Sequence, residues 1–133
     1  MFLEGVVIMD KYLAVALGGA FGSALRFWFS TLDHRYAKGA FPVNTFIVNI
    51  LGSLVIGLLW GISEKYEISA MVRLFLFVGI LGGFTTFSSF SLETINLLKT
   101  GEYRIAFLYI TLSNVIGLGM AFGGHYIAKV AIK

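Results

Sequence analysis

The chain has 133 residues, of which 58% are hydrophobic and 13% charged, and its formal net charge is +3. A soluble domain of this size needs a polar shell that this composition cannot supply, so the chain reads as a single-domain integral membrane protein. The lack of cysteine excludes disulfide and thiolate chemistry. The small, dispersed positive charge gives no indication of a nucleic-acid partner. His34 and His125 stand too far apart in sequence to suggest a metal site.

The opening "MFLEGVVIMD" carries Glu4 and Asp10 but no basic cluster, so no cleavable signal peptide is expected and the first span is retained. Crossing the hydrocarbon as a helix takes about 20 apolar residues. The first run of that kind is Tyr12–Leu32, and Arg26 is the one basic residue well inside it. Arg26 has two open readings: it snorkels to the nearby interface, or it stands as a cation at the mouth of an anion path. After "DHRYAKGAFP" comes the second span, Val43–Ile62. Its Thr45, Asn49 and Ser53 are spaced i, i+4, i+8 and share one face. Asn49 alone fits interhelical hydrogen-bond glue and a ligand contact equally well.

Beyond "SEKYE", the third span covers Val72–Leu98, 27 residues. As one helix it would be about 40 Å long, against a hydrocarbon core of about 30 Å. It is therefore tilted or broken. Gly82-Gly83 followed by the β-branched pair Thr85-Thr86 is a poor helix interior, and a break is expected there. Carbonyls at a break lose their i+4 donors and must be satisfied inside the protein, often by a cation. The hydroxyls of Thr85, Thr86, Ser88, Ser89 and Ser91 either recap the half-helices or face water. Phe87 and Phe90, at i and i+3, project from one face. Their positive ring edges suit a small anion, while ordinary packing is the plainer reading. Glu93 is the only acidic residue inside any span, which argues against a proton-coupled carboxylate relay.

The fourth span, Ile105–Ile127, follows "KTGEY" and carries Tyr109, Ser113 and Gly117 at the same i+4 spacing. Two polar tracks on different helices point to a shared aqueous path. The fold class is all-α, because strands in lipid need a closed barrel and these runs do not alternate. Four glycine pairs recur at i, i+4: Gly18/Gly22, Gly57/Gly61, Gly79/Gly83 and Gly119/Gly123. Such small-xxx-small patches let helix backbones approach closely, and some of these faces are expected to serve an oligomer.

With four spans both termini share a side. That side carries Lys11, Lys65, Arg73, Lys129 and Lys133, and the opposite side carries Arg35, Lys38, Lys99 and Arg104. Orientation normally follows a clear excess of such residues. Five against four leaves two readings open, orientation by some other signal or insertion both ways.

The strings "GGFTTFSSFSLE", "NTFIVNILGS" and "GSALRF" together closely resemble the Fluc fluoride channels, also called the CrcB family. The resemblance spans essentially the whole chain. It implies a multi-pass protein of the bacterial plasma membrane, not an enzyme, that exports cytoplasmic fluoride by passive conduction. It further implies an antiparallel dual-topology homodimer with two pores, and a central structural sodium ion held by the backbone carbonyls of Gly82 and Thr85. Phe87 and Phe90 would line the fluoride path, with Asn49 as the pore asparagine and Arg26 as the vestibule arginine. Thr86, Ser88 and Glu93 fall on polar positions of the third span, Tyr109 and Ser113 on those of the fourth, and Thr45 extends the second-span track. Gly117 departs from the pattern, since relatives can carry a hydroxyl there; water is the expected replacement. A small dual-topology multidrug-type transporter shares the size and helix count but resembles its relatives in a first-span glutamate, where this chain has only Arg26. A non-transporting scaffold subunit explains the glycine faces but not the polar tracks.

Overall fold

In a computed structural model the described residues are 2–32 and 39–132. They form helix α1 (Phe2–Leu32) and helix α2 (Val43–Lys65), the latter entered through Pro42. The third span comes in pieces: α3 (Ala70–Arg73), a π-helical stretch (Leu74–Leu81), α4 (Gly82–Phe84) and α5 (Phe87–Lys99). Helix α6 (Tyr103–Ala131) completes the chain. Among the described residues, four helical segments are long and apolar enough to cross a membrane: Ile8–Thr31, Val43–Lys65, Ala70–Lys99 and Tyr103–Ala131. His34, Arg35, Lys38 and Lys133 lie outside the described residues.

The connections follow from local chemistry. Ser69 starts α3 by accepting the Val72 N–H at 3.3 Å, and a side-chain acceptor at that position satisfies a donor that the first helical turn leaves orphaned. The turn between α5 and α6 passes through Gly101 at φ 81°, a left-handed conformation that glycine adopts without strain.

The third span breaks, though not at the glycines themselves. Gly82 and Gly83 stay helical, and the chain becomes extended at Thr85 (φ −77°, ψ 158°) and Thr86 (φ −150°, ψ 117°). The reason is packing. A Cβ on Gly83 would lie 2.6 Å from the Gly19 carbonyl oxygen of α1, so this glycine serves close approach rather than chain reversal. Just before the break, the Gly82 N–H reaches back to the Phe77 carbonyl, the i−5 bond of a π-helix.

Two helix pairs result. Helix α1 packs along the π-helical stretch and α4, and α2 packs along α6. Both contacts run backbone to backbone. A side chain on Gly22 would collide with the Ile80 carbonyl, and one on Gly57 with the Ala121 carbonyl. Three of the four glycine pairs are thereby used within the chain. Gly119 and Gly123 face open space instead. At one end of the α2–α6 pair, Glu64 lies 2.9 Å from the Lys129 ammonium and 3.1 Å from His125 Nε2. It also accepts the Trp60 indole N–H at 3.1 Å.

Candidate functional site at the helix break

The break is held open by one side chain from another helix. Asn49, on the polar face of α2, accepts the Thr86 N–H on Oδ1 at 2.8 Å and donates from Nδ2 to the Thr86 carbonyl at 3.0 Å. A primary amide matches a peptide unit donor for acceptor, so Asn49 supplies the acceptor that the Thr86 N–H lost and adds a second donor to the Thr86 carbonyl, which as N-cap also opens α5. Gly52, one turn along, leaves room for the Thr85 methyl, which would collide with any Cβ there. Thr86 then caps α5, its Oγ1 accepting the Ser89 N–H at 3.2 Å.

This arrangement decides what the break can bind. In a continuous helix the Gly82 carbonyl receives the Thr86 N–H, and the Thr85 carbonyl receives the Ser89 N–H. Here the first donor goes to Asn49 and the second to Thr86 Oγ1. Both carbonyls named from the resemblance have therefore lost their helical donors, and neutral oxygens of this kind fit a hard monovalent cation. On the other side of the break the N-terminus of α5 presents the positive end of its dipole, where an anion is stabilised. One interruption thus places cation-favouring and anion-favouring ends side by side.

Two recesses meet at Thr86. The first, of about 400 Å³, is an open groove lined by Asn49, Ser53, Gly82, Thr85, Phe87 and Ser113, among others. Phe87 and Phe90 stand beside it with ring centroids 5.6 Å apart. Phe87 is 79% exposed, an unusual position for a phenylalanine next to so many hydroxyls. Ser113 Oγ, by contrast, is buried and lacks a hydrogen-bond partner among the described residues. The second recess, also about 400 Å³, has Arg26 and Ser23 on α1, Thr45 on α2, and Ser89 and Glu93 on α5 among its lining residues.

Glu93, Thr45 and Tyr109 form a separate hydrogen-bonded cluster. The Thr45 hydroxyl donates to Glu93 Oε1 at 2.7 Å and the Tyr109 hydroxyl to Oε2 at 2.7 Å. Thr45 is buried, and Tyr109 is fully so, its ring in contact with Phe41 and with Phe90 at 5.0 Å. Tyr109 therefore reaches the groove through Phe90, and the second recess through Glu93, rather than by lining either. Ser88 is exposed, with its hydroxyl 3.3 Å from Thr86 Oγ1. Sequence reasoning did not single out Gly52 or Asn114, both of which line the groove. Gly52 carried only the weak signal of a glycine inside an apolar helix. Asn114 is next to a track residue but about 100° around the helix from it.

Four membrane-length helices, the third interrupted by a polar break, define a multi-pass membrane protein. Comparison with known proteins narrows the class. A family model described as CrcB-like protein, Camphor Resistance (CrcB), matches residues 13–125. A protein named fluoride-specific ion channel FluC from Desulfotalea psychrophila is 51% identical over 116 residues, 87% of this chain and 90% of that protein. Proteins of the same name from Thermus thermophilus (50% over 117 residues, 88% and 94%) and Parabacteroides distasonis (47% over 121 residues, 91% and 94%) are similar throughout. The chain belongs to the CrcB family.

Proposed function

We propose that this chain is a fluoride-selective channel, acting as an antiparallel homodimer that conducts fluoride passively through two pores. The observation that carries the reading is the open groove at the break, with Phe87 exposed on its rim. A ring so placed packs within one copy only against Phe90 among the described aromatic pairs, and a second copy laid against this face would close the groove into a path. The names of the relatives supply the ion.

The chemistry suits fluoride. It is small and tightly hydrated, so a path must replace its water with compact donors. The hydroxyls of Thr86 and Ser88 and the first turn of α5 offer these donors, and the Ser113 hydroxyl, buried against the groove, would turn toward it to add another. The edges of Phe87 and Phe90 add partial positive charge without a deep electrostatic trap, and conduction requires binding weak enough to release. Arg26, in the second recess, raises the local anion concentration at its mouth. The Gly82 and Thr85 carbonyls would hold the sodium ion, contributed in pairs by the two copies. That ion would supply a fixed positive charge joining the subunits.

The test is ion efflux from liposomes that contain the purified chain, loaded with fluoride or with chloride. Rapid fluoride release with negligible chloride release is expected, and comparable release of both halides contradicts the reading. The antiparallel arrangement has its own check. A C-terminal tag is expected on both faces of the membrane, and detection on one face alone rules that arrangement out.

A further inference from the structure

The fourth-span track runs Tyr109, Ser113 and then Gly117, where the hydroxyl is missing. The structure shows what stands opposite. A Cβ built on Gly117 would lie 3.5 Å from Ser53 Oγ and 3.8 Å from the Ile50 side chain, both ordinary contacts. Gly117 is therefore unlike Gly57 and Gly124 in the same helix pair, where a side chain would strike backbone of the facing helix. Close approach does not require glycine at 117. What the position lacks is a hydroxyl, and Ser53 of the facing helix holds one at that level, in the same groove as Ser113 and Asn49.

We propose that Ser53 is a further fluoride-coordinating residue of this chain, providing from α2 the hydroxyl that α6 lacks at Gly117. The inference rests on the channel reading above. Ser53 Oγ donates to the Asn49 carbonyl at 2.8 Å. That carbonyl also lies within the continuous helix α2, where the Ser53 backbone N–H is its regular i+4 donor. Rotation of the hydroxyl toward an anion therefore leaves no orphaned acceptor behind, and the motion is inexpensive. The Ser113 hydroxyl, unpartnered among the described residues, is buried against the same groove and within a side-chain rotation of it. A fluoride passing there meets two hydroxyl donors from two different helices, without a water in place of the second.

The experiment measures fluoride efflux from liposomes for the unmodified chain, Ser53→Ala, and Ser53→Ala combined with Gly117→Ser, with dimer yield by gel filtration as the folding control. Ser53→Ala is expected to slow flux by about tenfold, the factor for one hydrogen bond to a charged group, at unchanged dimer yield. The double variant returns the hydroxyl from the opposite helix and is expected to recover to within about threefold of the unmodified rate on the same basis. A role in helix packing alone predicts a lowered dimer yield in Ser53→Ala, which overturns the proposal. Full flux in Ser53→Ala, or failure of the double variant to recover, overturns the proposal while the unmodified channel still conducts. An unmodified chain that conducts no fluoride overturns the channel reading and this inference with it.

Discussion

Before the break, the third span runs as Leu74–Leu81 without a single hydroxyl, and it packs backbone to backbone on α1. After it, Phe87–Lys99 carries Ser88, Ser89, Ser91 and Thr94, makes its main contacts with α6, and leaves Phe87 exposed. The two halves lie on one span, separated by α4 and the two extended residues Thr85 and Thr86. The first half is fixed by glycine contacts that tolerate no added atom, which gives the break a rigid shoulder. The second half has surfaces that one copy leaves unfilled. Rigidity and chemistry are thus divided along the span, and Asn49 is the link between them.

That division ranks the effects of substitutions. The largest belongs to the glycine contacts. Gly22→Val forces a branched side chain onto the Ile80 carbonyl and is expected to cost about 3 kcal/mol by overpacking, seen as a lowered unfolding temperature in detergent and poor recovery of folded protein. Next comes the link. Asn49→Leu removes both hydrogen bonds to Thr86 and leaves the Thr86 N–H unsatisfied, a loss of roughly 2–3 kcal/mol. Fluoride flux should disappear with it. Asn49→Asp keeps the acceptor for the Thr86 N–H and is expected to fall between the two in unfolding temperature. Smaller again is the effect of the proposed cation. Replacing sodium with a bulky organic cation is expected to weaken the proposed dimer by about 1.4 kcal/mol for each tenfold that sodium exceeded its dissociation constant. A dimer indifferent to sodium would detach the Gly82 and Thr85 carbonyls from any cation role.

Much of this division is legible in the sequence. Span number follows from the apolar runs, and the interruption follows from Gly82-Gly83 and Thr85-Thr86 together. The sequence does not reveal which pair bends. Helix interior preferences penalise all four residues, and only contact with Gly19 on α1 shows that Gly83 is needed for close approach within a helix. The Asn49 clamp is hidden for a similar reason, because i+4 spacing identifies a face but not what lies opposite. The Thr45–Glu93–Tyr109 cluster draws on three spans, and its partners depend on how each helix is rotated about its axis. The π-helical stretch has no periodicity signal of its own. Gly119 and Gly123 have the same spacing as Gly57 and Gly61, yet they face open space, since spacing permits close approach without providing a neighbour.

The central claim is that the second half of the third span has its chemistry on the face carrying Phe87 and Phe90. The most direct measurement is fluoride flux per dimer in Phe87→Ile and Phe90→Ile, each of which keeps apolar bulk and removes the positive ring edge. A loss of at least about tenfold, equivalent to 1.4 kcal/mol, is expected in each, with dimer yield unchanged. Full flux in both would make the rings packing residues and contradict the account.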